Sequence, residues 1–173
     1  MVRFCSMITL VQQYFSASAA RFPDKPALCC DQQSMAFGEA EAFTNAFARA
    51  LKAAGAQRGQ LVPFFMAKSV NSMLSILSIL KADCAYVPVD VKSPAQRLAS
   101  ILLAAKASVV VVDDESQALF ENLVPADQRP KLLNVAQFKP QAVQTQPHWR
   151  PRICRLTLPM CCLPQGLPAF PRA

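Results

Sequence analysis

Glycine, histidine and, in its last third, acid are what this sequence is short of. Four glycines, at positions 38, 55, 59 and 166, serve 173 residues, so the chain holds no glycine-rich loop in which successive backbone N–H groups could cradle a phosphate. The one histidine, His148, lies beside Trp149 in a proline-rich stretch. Without a second it has no partner for a histidine metal site or an acid–base pair, and it reads as a solvated loop residue. The formal net charge is +7, but the excess is local: through Asp127 there are 11 basic and 11 acidic residues, and beyond it seven basic residues and no acid. A basic face for nucleic acid is therefore excluded from the body of the chain, and a basic arm is left only in its tail.

Long apolar runs are absent as well. Beyond the N-terminus the longest, Met73 to Leu80, is broken by serines and falls far short of the roughly 20 residues that span a bilayer. Near the start, Arg3, the apolar stretch Phe4 to Val11 and the small residues Ser16 to Ala20 admit a secretory signal. The spacing of Ile8, Val11, Phe15 and Ala19 predicts instead an amphipathic helix that ends around Arg21 to Asp24. Seven cysteines, odd in number and irregular in spacing, do not make a disulfide framework, so a reducing, cytoplasmic setting is expected. Cys29-Cys30 and Cys161-Cys162 are adjacent pairs and lack the two or so residues between ligands that let both turn toward one metal.

What is there alternates between strand and helix. Ala27 to Cys30 and Met35 to Phe37 read as short strands around a turn at Asp31-Gln32-Gln33. Glu39 to Ala54 reads as a helix with Phe43, Phe47, Ala50 and Leu51 on one face and Gly55 as its cap. Leu61 to Met66 is an apolar strand, and Ser69 caps a helix expected to turn Met73, Leu74, Leu77 and Leu80 inward. Cys84 to Val87 comes next as a strand closed by Pro88. Pro94 opens a helix through Ala104, and Val109 to Val112, without alternation, is a strand buried on both faces. The pattern predicts an α/β fold with a mainly parallel sheet flanked by helices. Asp113, Asp114 and Glu115 form an acidic group that reads as a solvated strand-to-helix turn rather than a cation site.

The most specific segment is Leu80-Lys81-Ala82-Asp83-Cys84-Ala85-Tyr86-Val87-Pro88-Val89-Asp90. It resembles the second core motif, LKAGxAYVPxD, of the adenylation domains of nonribosomal peptide synthetases, members of the adenylate-forming (AMP-binding) superfamily. Phe22-Pro23-Asp24-Lys25-Pro26-Ala27-Leu28 is similar to the family's FPDxPAL. Met35 to Ala40 stands in place of LTYxEL and departs at Ala36 and Ala40; Gly59 to Pro63 matches GDxVP with Gln60 for aspartate. Lys68-Ser69, Pro94 and Arg97 continue in family order, so the resemblance covers about Phe15 to Val135. It implies the partial N-terminal subdomain of the adenylate-forming fold. In that family ATP and Mg are used to turn an amino or carboxylic acid into an acyl-adenylate, which is passed to a phosphopantetheine carrier. Asp83 occupies a glycine position where the backbone takes positive φ, a conformation aspartate tolerates at a cost of about 1 kcal/mol.

The same resemblance assigns no catalytic, cofactor-binding or metal residue to this chain. The family's phosphate loop, TSGSTGxPKG, is not present, and its catalytic lysine belongs to later segments. Residues 1–140 thus read as the N-terminal portion of an adenylation domain and residues 141–173 as a Pro/Arg-rich tail, expected to be disordered and foreign to the fold. Its partners would be the missing remainder of the domain and a carrier domain, with no nucleic acid and no membrane. Six of the 14 prolines fall between Pro147 and Pro171. Codons for Leu156 to Ala173 can be chosen so that reading from the third base of each gives DLAYVLFTSGSTGLPKG, the family's phosphate loop with its leader. The tail is accordingly read as a frameshifted translation. Two other readings stand beside it: a non-catalytic remnant of a degraded gene, and a nucleic-acid-binding arm built on Arg150, Arg152, Arg155 and Arg172.

Overall fold

The computed structural model describes residues 10–30, 33–126 and 129–139, all within one compact unit, Met1–Val143. The expectations for Ile8, for the Asp31-Gln32 turn, for His148 and for the tail lie outside those residues. In chain order the elements are α1 (Val11–Arg21), β1 (Pro26–Cys30), β2 (Gln33–Ala36), α2 (Phe37–Ala53), β3 (Leu61–Phe65), α3 (Val70–Lys81), β4 (Ala85–Val89), α4 (Ala95–Ala105), β5 (Val109–Val112), α5 (Asp114–Leu123) and β6 (Lys131–Asn134).

β3 to β6 form one parallel sheet in the order β4-β3-β5-β6, while β1 and β2 pair antiparallel as a separate hairpin. The connection between β1 and β2 is too short for a crossover, so antiparallel pairing is the geometry open to them. The parallel sheet is covered on both faces, as helical crossovers require. Val62, Phe64, Val109 and Val111 pack on one side against Phe47 and Leu51 of α2 and Ile79 of α3. Phe65, Val110 and Val112 pack on the other against Leu98 of α4 and Phe120 of α5. The four valines of β5 are each 1% exposed or less, which is why the run shows no alternation.

Two prolines lie inside strands. Pro88 was expected to end β4, yet β4 continues to Val89, with Pro88 opposite Phe64. Among the described residues β4 is an edge strand, where a missing N–H need not cost a ladder bond. Pro63 sits in the central strand β3, and there the ladder to β5 begins only at Phe64↔Val111.

The helix faces differ most from expectation. In α1 the inward residues are Gln12 and Ala19, and Val11 is 69% exposed; Gln12 Nε2 donates to the Leu80 carbonyl at 3.2 Å, so its amide is satisfied where an apolar residue was expected. In α3 Met73 is exposed and Leu80 half-buried, while Ser75 and Ser78 are fully buried beside Leu74 and Leu77. Both hydroxyls donate to their own helix, Ser75 to the Asn71 carbonyl at 2.7 Å and Ser78 to the Leu74 carbonyl at 2.6 Å. Small, internally satisfied side chains let α3 lie against α2 without an unpaired polar group. α2 starts at Phe37, two residues before the expected Glu39, and its N3 residue Glu39 accepts from the Ala36 N–H at 3.4 Å.

The double burial of β5 makes a direct prediction. Val111→Thr keeps the shape but places a hydroxyl where the chain offers apolar neighbours, and it should cost about 2 kcal/mol. A urea midpoint unchanged from the wild type would contradict this packing.

Candidate functional site at the carboxyl edge of the sheet

The strands are parallel, so their carboxyl ends open on one edge. From β3 the chain crosses through α3 to β4 on one side, and from β5 it crosses through α5 to β6 on the other. The carboxyl ends of β3 and β5 therefore flank the switch point at which open α/β sheets bind ligands. A polar cavity of about 670 Å³ lies there, lined by Lys68, Ser69 and Asn71 after β3 and by Asp113, Asp114 and Glu115 after β5. Beside it, between α3, β4 and the hairpin, is a second and more apolar cavity of about 850 Å³.

Three of these side chains, Ser69, Asp113 and Asp114, are committed to the fold. Ser69 Oγ accepts from the Ser72 N–H at 3.2 Å and Ser72 Oγ accepts from the Ser69 N–H at 3.0 Å, a reciprocal cap on α3. Asp113, expected in a solvated turn, is only 8% exposed and caps α5. Its carboxylate accepts from the Ser116 N–H at 2.8 Å and the Ser116 hydroxyl at 2.6 Å. Asp114 is exposed as expected, and its Oδ1 accepts from Asn134 Nδ2 and Gln137 Nε2, each at 2.8 Å, fastening α5 to the end of β6. Among the described residues no group of three or more His, Cys, Asp or Glu could hold a metal ion.

The caps of α3 and α5 limit what these helix heads offer the phosphates of the ATP that the resemblance implies. One first-turn N–H on each helix, Ser72 on α3 and Ser116 on α5, is taken by its cap, and α5 adds carboxylates that would repel a phosphate. Gly38 does stand at the start of a helix, but a Cβ there would meet the Pro23 carbonyl oxygen at 3.3 Å; this glycine lets the chain pack and does not line a cradle. Gly55 and Gly59 hold φ of 109° and 77° in the turns before β3.

The Leu80–Asp90 motif is instead structural at each position that can be followed. Lys81, the last residue of α3, is buried at 2%. Its Nζ lies 2.7 Å from Glu41 Oε2 and 2.7 Å from Thr44 Oγ1 on α2, and 5.7 Å from the centre of the Phe15 ring on α1. Burial pulls the Lys81 ammonium below its ordinary pKa, with the Glu41 hydrogen bond and charge pulling it partway back. Ala82 is completely buried. Asp83 holds φ of 62°, the left-handed conformation foreseen at this glycine position. Its carbonyl accepts from the Gly59 N–H at 2.7 Å and its carboxylate pairs with Lys52 at 3.5 Å. The buried Cys84 thiol donates to the Gln57 carbonyl at 3.2 Å, and burial raises its pKa, so it is held as a thiol and not as a nucleophile. Asp90 Oδ1 accepts from the Lys92 N–H at 3.0 Å and shapes the turn into α4.

Gln60, where the family has aspartate, uses both ends of its amide. Its Oε1 accepts from the Gln57 N–H and the Ser108 hydroxyl, and its Nε2 donates to the Lys106 carbonyl at 3.2 Å. An aspartate could not make that donation. The Lys81–Glu41–Thr44 group was not foreseen in the sequence. Its signal was available: Lys81 extends the buried stripe Val70, Leu74, Ser78 by one more step, and Glu41 and Thr44 share a face of α2.

The AMP-binding enzyme family matches residues 15–153. Tyrocidine synthase 1 of Brevibacillus parabrevis is 31% identical over 113 residues, 65% of this chain and 10% of that protein. The nonribosomal peptide synthetase FmoA3 bound to alpha-methyl-L-serine-AMP superposes with a TM-score of 0.67 at 28% identity, covering 73% of this chain and 14% of that one. The N-terminal subdomain of Klebsiella oxytoca NpsA in complex with 3-hydroxybenzoyl-AMSN gives a TM-score of 0.61 at 26% identity, over 74% of this chain and 30% of that subdomain. The chain thus spans a small fraction of the relatives it matches.

The buried pair sets two expectations. Glu41→Gln leaves the Lys81 charge without its counter-ion and should cost about 3 kcal/mol, whereas Lys81→Met combined with Glu41→Leu should return close to wild-type stability. Equal loss in both variants, read as urea midpoints, would contradict an ion-pair role. Because the folded chain holds the Lys81 proton less tightly than the unfolded chain, the unfolded state binds more protons between the lowered value and 10.5. Stability should therefore rise with pH through that window, and this rise should be missing from Lys81→Met.

Proposed function

Since this chain belongs to the AMP-binding enzyme family, we propose that it is the N-terminal portion of a nonribosomal peptide synthetase adenylation domain. In the intact domain its work is to carry the active site, not to form it. The observation behind this reading is that the motif most similar to the family, Leu80–Asp90, serves as scaffold: a buried ion pair, a left-handed turn and an edge strand. The intact enzyme would use ATP and Mg to convert an amino or carboxylic acid to its acyl-adenylate with release of pyrophosphate, then load a phosphopantetheine thiol on a carrier domain. A cytoplasmic location goes with that chemistry; among the described residues no helix is long and apolar enough to cross a membrane.

The tail supports the same reading. The family match stops at residue 153, and the displaced reading that yields TSGSTGLPKG begins at Leu156. A Gly/Ser/Thr string followed by lysine offers backbone N–H groups, hydroxyls and a cation to a polyphosphate, which is the charge that must be neutralised before a carboxylate can attack. Leu156 to Ala173 is therefore read as that loop translated out of frame.

Purified chain 1–173 should show no ATP-dependent pyrophosphate exchange with any of the 20 common amino acids. A version with the displaced frame restored and the following domain sequence appended should exchange with at least one amino or aryl acid. Exchange by the chain alone would overturn the division into scaffold and missing site, and a restored enzyme that bound no ATP would overturn the family function.

A further inference from the structure

We infer that the outer face of α1 is a membrane-surface contact, on which the chain lies against an anionic lipid headgroup layer. A helix lying in that layer needs no transmembrane length. The inference does not depend on the adenylation reading.

α1 is turned the opposite way from an ordinary surface helix, which hides its apolar stripe and shows charge to water. Its buried residues are Gln12 and Ala19. Polar bonds fasten it inward, from Gln12 Nε2 to the Leu80 carbonyl at 3.2 Å and from the Ser16 hydroxyl to Glu41 Oε1 at 2.8 Å, and the Phe15 ring adds a contact to Phe37 at 5.3 Å. Outward the helix shows Val11 at 69% and Tyr14 at 59% exposed, with Leu10 at 37% before its first turn and the exposed Ala17 and Ala20 further along. No charged side chain stands on it before Arg21, its last residue. The sequence places Val11 on the inward face and expects no membrane partner; the structure turns Val11 to the outside, and that removes the ground for the expectation.

Charge selects the partner. Through Cys30 the chain carries Arg3, Arg21 and Lys25 against Asp24 alone, and ahead of Leu10 it adds the apolar Val2, Phe4, Met7 and Ile8. At the end of α1 the Arg21 guanidinium lies 5.1 Å and the Lys25 ammonium 4.3 Å from the centre of the Phe22 ring, which is itself 37% exposed. Apolar side chains beside an aromatic ring and its cations suit a headgroup layer, with methyls and rings at the acyl boundary and ammonium and guanidinium among the phosphates. A second copy of the chain fits this face less well. A helix of 11 residues is about 16 Å long and about 10 Å wide, a small part of the roughly 800 Å² that each partner contributes to a stable protein interface.

The test is co-sedimentation of chain 1–173 with vesicles of phosphatidylcholine, alone or with about 30% phosphatidylserine. The expected result is about 5-fold more bound chain on the anionic vesicles, falling toward the neutral level at about 0.5 M salt. Leu10→Asp and Val11→Asp should each lower binding about 5-fold. Aspartate is a favoured cap at Leu10 and suits the first turn at Val11, so both variants should melt with the wild type, which circular dichroism checks. Leu103→Asp, at a 78% exposed position on α4, should bind as the wild type does. The basic residues beyond Asp127 would attract the same vesicles by charge alone, and insertion separates the two sources. With Val11→Trp in a Trp149→Phe background, which leaves one tryptophan, acyl-brominated lipid should quench the emission. Binding that survives both aspartate variants, or emission that brominated lipid leaves unchanged, would overturn the inference. So would equal or no binding to the two kinds of vesicle, or a dimer on size exclusion that Val11→Asp dissolves.

Discussion

The arrangement of the first three helices depends on one buried charge. Lys81 ends α3 inside the protein, and an ammonium there is tolerable only because Glu41 and Thr44 on α2 meet it at 2.7 Å each while the Phe15 ring of α1 lies under it. A hydrophobic residue would fill that space and accept many neighbours. The charged one accepts a particular carboxylate, and so fixes the rotation and register of α3 against α2. The chain beyond α3 inherits that register: the fully buried Ala82, the left-handed Asp83 tied to Gly59, and then β4 laid in parallel along β3. This conformational specificity is set against the desolvation that lowers the Lys81 pKa.

The same logic separates scaffold from chemistry. A parallel sheet with a switch point offers a crevice at the carboxyl ends of β3 and β5, and the fold does produce a cavity there. Three of its polar side chains serve the fold: Ser69 and Asp113 cap their own helices, and Asp114 accepts from Asn134 at the end of β6. That agrees with a family likeness concentrated in turns, caps and strand ends.

Much of the fold was legible because its signals are local. The Val109–Val112 run, the Ser69 cap, the Gly55 turn and the positive φ at Asp83 each arise from a residue's own stereochemistry, and each is present at the expected position. The features that escaped sequence reading were set by partners distant along the chain or by bonds a hydropathy scale does not see. Gln12 is buried because Leu80, 68 residues away, offers a carbonyl. Ser75 and Ser78 are buried because each finds an acceptor one turn back. Pro88 stays within β4 because the strand order puts β4 at an edge, and no window of sequence contains that order. The helix faces of α1 and α3 were misjudged for this reason, since hydropathy ranks a polar side chain before its bond is known. The candidate site was less legible: Asp113 reads in sequence as part of a solvated turn, and its burial follows from the bonds it makes to Ser116.

The most direct measurement is the nucleotide sequence of the transcript and genomic DNA, from the codon of Gln141 to several hundred bases beyond that of Ala173. The expected result is a single-base displacement or an intron that restores TSGSTGLPKG after the family match, in an open frame that continues through an adenylation domain. A frame that stands as written and closes, with no such string in the displaced reading, would contradict it and leave a scaffold with no enzyme to complete.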